Sequence, residues 1–279
     1  MLRHLGVIAF CLFPTIGTAQ GLPTIEPPEG ELRALATTDQ IRPFAAVGRL
    51  DTGTGFCTAT LITSELVLTA AHCLFDGSHD ARRPDSSLIF NAGLRNGRVS
   101  AQRGVRASFV HPGYLYGAPD HLERVRTDLA VLRLDRPITD ASVTPLPAHG
   151  RAGRGDEVQV VSYGEERENV ASLEEGCEVL AADEGVFVLS CSVVHGSSGA
   201  PVMVRSGNGY QVVSVVSAAA HWRDDPVALS AELEGSISHL LSMAGAREPG
   251  FASAGLPQVR NLGAQSDGRS TSGARFIQP

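Results

Sequence analysis

The sequence breaks into short β-prone runs punctuated by turn residues, and this texture restricts the fold more than any other feature. The runs are Phe44–Leu50, Cys57–Ile62, Leu66–Thr69, Ser87–Phe90, Val105–Val110, Leu129–Leu134, Glu157–Ser162, Gly185–Ser190, Pro201–Arg205 and Tyr210–Val216. Segments such as Asp51-Thr-Gly-Thr-Gly55 separate them. Many short strands at fairly regular spacing predict an all-β barrel or sandwich. A parallel α/β sheet needs helical crossovers between its strands, and none is visible. With 279 residues, 43% of them hydrophobic, there is enough apolar side chain for one large all-β domain or two smaller ones.

The ends read differently. Met1–Pro14 has a positive start and a short apolar core, and Gly17-Thr-Ala19 supplies small residues at a cleavage site. Residues 1–19 are therefore expected to be a signal peptide, too short for a lasting membrane anchor, that exports the chain to the periplasm or the medium. Residues 20–41 hold Pro23, Pro27 and Pro28 without sustained period and read as an irregular arm or propeptide. At the other end, Ala231–Met243 places Leu233, Ile237, Leu240 and Leu241 on one helical face, with Glu232 and Glu234 in the first turn. This predicts a C-terminal helix docked on the last barrel. Residues 246–279 contain Gly, Ser, Arg and Pro and read as a disordered tail, with a removable C-terminal extension as the alternative.

Removal of residues 1–19 takes away Cys11 and leaves Cys57, Cys73, Cys177 and Cys191. An even number in an exported chain predicts two disulfides, with three possible pairings. Cys57–Cys73 with Cys177–Cys191 is favoured, because each bond closes a short loop beside a candidate catalytic residue. The formal charge of −7 offers no electrostatic basis for binding nucleic acid. All 23 basic residues are arginine, for which the sequence suggests no functional account. No metal motif is present: there is no H-E-x-x-H, no C-x-x-C pair and no Asp-rich loop of calcium-binding spacing. Asp224-Asp225 reads as a solvated turn, with contact to an ion as the alternative, and Glu165–Asn169 with Glu174-Glu175 as solvated surface, although an acidic loop bordering a cleft would disfavour acidic substrates.

Three stretches carry nucleophilic chemistry in combination: Thr69-Ala-Ala-His72-Cys73, Thr127-Asp128-Leu-Ala-Val-Leu132 and Gly196-Ser-Ser-Gly-Ala-Pro201. A serine hydroxyl needs a histidine to take its proton and an acid to orient that histidine. Gly-Ser-Ser-Gly alone is also the composition of a flexible linker, but the following Ala-Pro-Val-Met-Val reads as a strand. The order His, Asp, Ser differs from Asp, His, Ser and from Ser, Asp, His, and the turn lacks a G-x-S-x-G elbow because Ala200 stands at its last position. Asp120 and Asp135 are rival acids; Asp128 is preferred because it opens an apolar strand.

With Phe109–Tyr114 and Val161–Gly164, these motifs resemble the secreted trypsin-like (chymotrypsin-fold) serine peptidases, near the bacterial branch that includes the glutamyl endopeptidases. The resemblance runs from about Pro43 to Ala244. It implies two packed antiparallel six-stranded β-barrels over residues 42–146 and 147–245, a cleft between them, a protein or peptide substrate, no cofactor and a monomer. It assigns Ser198 as nucleophile, His72 as base, Asp128 as its orienting acid, and the N–H groups of Gly196 and Ser198 as oxyanion hole. Ser192 would form the pocket floor, where an Asp would select basic residues, and Ser217, Ala218 and Ala219 the wall that pairs with a substrate strand. His195 or His221 could bind an acidic side chain, with exposed loop histidines as the plainer reading. Relatives matured by cleavage ion-pair a new amine with an Asp before the nucleophile; here Ser197 stands there, so neutral hydrogen bonds and the Cys177–Cys191 loop are expected to hold the turn. A peptidase-like binding module without activity and a structural β-protein are the alternatives.

Overall fold

A computed structural model describes residues 32–77, 81–118, 121–222 and 225–245. Twelve strands build two barrels. The first contains β1 (Val47–Asp51), β2 (Phe56–Leu61), β3 (Leu66–Thr69), β4 (Ile89–Ala92), β5 (Ala101–Val110) and β6 (Ala130–Leu134), closed in the order β1-β2-β3-β6-β5-β4. The second contains β7 (Glu157–Ser162), β8 (Ser172–Asp183), β9 (Val186–Leu189), β10 (Pro201–Ser206), β11 (Gly209–Trp222) and β12 (Asp225–Glu232). Its order is β8-β7-β10-β11-β12-β9, and β9 pairs back onto β8. All pairings are antiparallel, and the two halves share one strand order. Closure pairs the strands on both sides around each ring, apart from the far half of β11, which is open on one side beyond Val215.

Alternation along the strands fills the barrels. Leu50, Leu61, Leu68, Phe90 and Leu132 are essentially inaccessible in the first, as are Val179, Phe187, Leu189 and Val202 in the second. Each such side chain contributes roughly 1.5–3 kcal/mol of apolar transfer. Two long strands escape the sequence reading. β8 carries Glu174, Glu175, Gly176 and Glu178, a charge density that masks its alternation, and β12 opens on Asp-Pro.

Two expectations are corrected at the ends. The segment before residue 42 is not irregular where it is described: Arg33–Ala34 pairs with Leu173 and Ser172 of β8, Leu35 is fully buried and bonds Ala171, and α1 (Thr38–Ile41) begins with a Thr37–Gln40 capping box. The short α2 (His121–Arg126) precedes β6. The terminal helix, α3, spans Ile237–Met243 only, because Ala231 and Glu232 finish β12 and Gly235 adopts φ +83°. It packs on β5 and β6 of the first barrel, where Leu240 is buried and Arg133 donates to the Ala244 carbonyl, rather than on the second barrel that precedes it. The proposed signal peptide and tail lie outside the described residues.

Replacing Leu35 by alanine removes a fully buried side chain at a strap between barrels, so Leu35→Ala should cost about 2–4 kcal/mol in denaturant unfolding. An unchanged unfolding midpoint would show that residues 33–41 are a dispensable arm.

Candidate active site

His72 lies on a 3₁₀ turn, Ala71–Leu74, that follows β3. Asp128 lies between α2 and β6, with only 2% of its surface exposed. Their contact closes the end of the first barrel. The Asp128 carboxylate faces the His72 ring, with Oδ2 at 2.6 Å from Nδ1, and accepts the His72 backbone N–H at 2.8 Å on Oδ1. A third donor comes from the second barrel: the Ser217 hydroxyl reaches Asp128 Oδ2 at 2.5 Å. The β11–β12 register shifts between Val216 and Ala218, so Ser217 sits in a bulge, and a bulge re-aims a side chain. Burial pulls the His72 pKa down, but the charge and hydrogen bond of Asp128 outweigh it and Arg124 opposes them only weakly, so the net shift is upward. Asp135, one rival acid, is exposed in a turn, and Asp120 lies outside the described residues.

The serine turn belongs to the second barrel but is fastened to the first. Thr58 in β2 donates its N–H to the Ser198 carbonyl at 2.8 Å and its hydroxyl to the Gly196 carbonyl at 2.8 Å, while the same oxygen accepts the Tyr163 N–H at 3.0 Å. Gly196 has φ +91°, and a Cβ there would come within 2.3 Å of the Phe56 ring. Gly199, at φ +82°, would place a Cβ at 2.2 Å from the Thr58 carbonyl. Only glycine meets both demands. Among the described residues, neither the Gly196 nor the Ser198 N–H has a protein acceptor. Ser198 and His72 line one cleft of about 640 Å³, without a hydrogen bond between the hydroxyl and the ring.

Both disulfides, Cys57–Cys73 and Cys177–Cys191, are present. Cys73 Sγ lies 3.9 Å from His72 Nε2 and 4.0 Å from the Ser198 carbonyl oxygen, so the first bond forms the floor beneath both. The two clusters of potential metal ligands among the described residues each contain one of these disulfides, and a bonded sulfur offers no thiolate.

The sequence reading missed what supports the turn from behind. Ser197 is fully buried, and its hydroxyl accepts Arg167 Nη2 at 3.1 Å. Arg167 also donates to the Ser162 carbonyl at 2.5 Å and to the Ser162 hydroxyl at 3.0 Å. The turn is thus held by a cation, not by neutral groups alone. Glu174, read from sequence as surface, is 2% exposed, and both its carboxylate oxygens accept the Ser192 N–H, at 3.0 and 2.9 Å. Burial raises its pKa, against the Ser192 hydrogen bond and the charge of Arg167. The alternation of β8 offered no signal, because Ser172, Leu173 and Glu174 are buried in succession and the β7–β8 register shifts beside them. Its neighbour Glu175 pairs outward with Arg33 and Arg205.

The remaining candidates fall on either side of His72. Ser217, Ala218 and Ala219 line a second cleft, of about 660 Å³, together with Tyr114, Arg124 and Asp128. β11 pairs with β10 only up to Val215, so this stretch has one open edge. His195 is exposed in the cleft that holds Ser198, beside Glu165 and Glu168, so the acidic loop does border it. Ser192 is exposed and lines neither cleft; His221 is exposed near the far end of β11.

Residues 53–210 match the family described as a trypsin-like peptidase domain. A solved structure entitled "Structure of Glu endopeptidase in complex with MPD" superposes with a TM-score of 0.64 at 18% sequence identity, covering 78% of this chain and 98% of that one. At that identity the likeness is one of fold.

Thr58→Val keeps the shape of the side chain but strands the Tyr163 N–H and the Gly196 carbonyl, and should cost roughly 2–4 kcal/mol of unfolding free energy. Arg167→Met should speed hydrogen exchange at the Ser197 N–H, which now bonds the Val194 carbonyl. Unaltered exchange there would mean that Arg167 does not support the turn.

Proposed function

Because this chain belongs to the trypsin-like peptidase family, with a family match over more than half of its length, we propose that it is an exported serine endopeptidase with Ser198 as nucleophile. One observation carries the reading: a buried carboxylate, Asp128, is fixed by three donors so that His72 turns its free edge toward the cleft lined by Ser198. In this scheme the Ser198 oxygen attacks the scissile carbonyl carbon as its proton passes to His72 Nε2. The tetrahedral intermediate then collapses, the proton goes to the leaving amine, and water hydrolyses the acyl-enzyme by the reverse relay. Asp128 keeps the Nδ1–H tautomer and stabilises the imidazolium. The unpaired N–H groups of Gly196 and Ser198 serve the oxyanion, each supplying roughly 3–4 kcal/mol.

Substrate would add as a strand along the open edge at Ser217–Ala219. Small or medium apolar side chains are preferred at the cleaved residue because the Glu174 carboxylate is withdrawn behind the backbone; Ser192, which lines neither cleft, does not set this preference. Glu165 and Glu168 beside the other cleft disfavour acidic residues in the leaving half. Export is supported by the apolar start of the sequence and by two disulfides, which persist in oxidising compartments. Among the described residues no helix is long and apolar enough to cross a membrane.

The missing Ser198–His72 hydrogen bond favours a second reading, an inactive peptidase-like binding module. Such bonds often tighten only when substrate binds, and labelling separates the two. A fluorophosphonate probe should modify the folded, oxidised protein and leave Ser198→Ala untouched; no labelling of the parent would sink the catalytic claim. Asp128→Asn should lower kcat by roughly 10³–10⁴-fold in peptide hydrolysis.

The pH profile follows from the His72 shift. Its folded pKa is raised, so the protonated form adds stability that is complete below the unfolded value of about 6.5 and disappears as pH rises through the folded value. Activity needs the neutral ring and runs the other way. The acid limb of kcat/KM should therefore have its midpoint above about 6.5. A midpoint clearly below that would contradict the balance between burial and Asp128.

A further inference from the structure

The cleft on the α2 side of His72 contains a cation for which the reaction scheme has no use. Arg124 lines it together with Tyr114, Ser217, Ala218 and Ala219. The guanidinium donates from Nη1 to the Ala118 carbonyl at 3.3 Å and from Nη2 to His121 Nδ1 at 2.8 Å. Both acceptors are neutral. Arginine cannot accept, so Nδ1 of His121 is the unprotonated nitrogen and its Nε2–H remains as a further donor in the same cleft. The guanidinium carries five N–H groups in a fixed fork, and these two bonds hold its orientation while leaving others unused.

No ion pair among the described residues involves Arg124. Asp128 lines the same cleft, but its oxygens are taken by His72 and Ser217. A half-buried, oriented guanidinium without an ion-pair partner among the described residues is poised for a carboxylate. Across from it, Ala218, Ala219 and Ala220 end at their methyl groups, which leaves the cleft open next to the free edge of β11. The positive charge is also felt at the ring, where Arg124 opposes protonation of His72.

Resting on the peptidase reading above, we infer that Arg124, assisted by His121, forms a subsite for an acidic substrate side chain two to four residues upstream of the scissile bond. A chain lying along Ser217–Ala219 passes His72 and runs on into this cleft, so residues on its acyl side are the ones that meet Arg124. The preference is for Glu or Asp there, distinct from whatever the cleaved residue itself must be.

The experiment measures binding, so it does not depend on turnover. Labelled peptides with Glu or Gln at the second, third or fourth residue upstream are titrated into the full chain bearing Ser198→Ala, followed by fluorescence anisotropy. Glu should bind about tenfold more tightly than Gln at one of these positions, as for a charge-assisted pair. Ser198→Ala with Arg124→Gln should reduce that ratio to below about twofold, while Ser198→Ala with Arg124→Lys, which keeps the charge, should retain part of it. Equal binding of Glu and Gln at all three positions, or a preference that survives Arg124→Gln, overturns the subsite. Failure of the Ser198-intact protein to cleave any peptide would instead overturn the peptidase reading, whatever the binding ratio.

Discussion

The arrangement depends on Thr58. One buried residue of the first barrel grips the serine turn of the second through its N–H and its hydroxyl, and the same hydroxyl takes up the Tyr163 N–H. Three groups of the far barrel are thereby paired at a buried residue, where an unpaired polar group is expensive. Its neighbour Cys57 is bonded to Cys73, next to His72. Two consecutive residues of β2 thus fix the serine turn and the histidine turn relative to one another. Ser217 returns the favour from the other side, since it comes from the second barrel and bonds the acid of the first.

Behind this seam the charges are arranged in depth. Arg167 and Glu174 lie under the serine turn and the Ser192 segment, each engaging backbone groups that loops seldom satisfy by themselves. Such partners suit a task that needs geometry more than strength. A planar guanidinium can hold a carbonyl and two hydroxyls at once, which an ammonium on a flexible stem does less well. In a chain whose basic residues are all arginine, that fork is the tool available.

What could be read from the sequence was local. Leu66–Thr69 and Glu157–Ser162 have the same limits in the sequence reading and in the structure, because their apolar runs are short and cleanly bounded. The His72, Asp128 and Ser198 stretches were recognisable for a different reason, their order along the chain. The sequence reading went astray where one residue serves two periodicities: Ala231 and Leu233 fit a helical stripe as well as a strand end, and Gly235 decided where the helix could begin. Thr58, Arg167 and Glu174 carry no local signal of their partners in the Ser192–Ser198 segment, which lie 138, 30 and 18 residues away. Only the closure of the rings brings them together.

The first and last described segments cross over. Residues that precede the first barrel add a strand to the second, and the helix that follows the second lies on the first. Each half is therefore clasped by the segment that flanks the other, much as two boxes are tied with each other's string. Neither barrel can separate without first releasing a strap that belongs to its partner's side of the sequence. The molecule should consequently melt in one step, and a cut in the linker between residues 134 and 157 should leave the halves together.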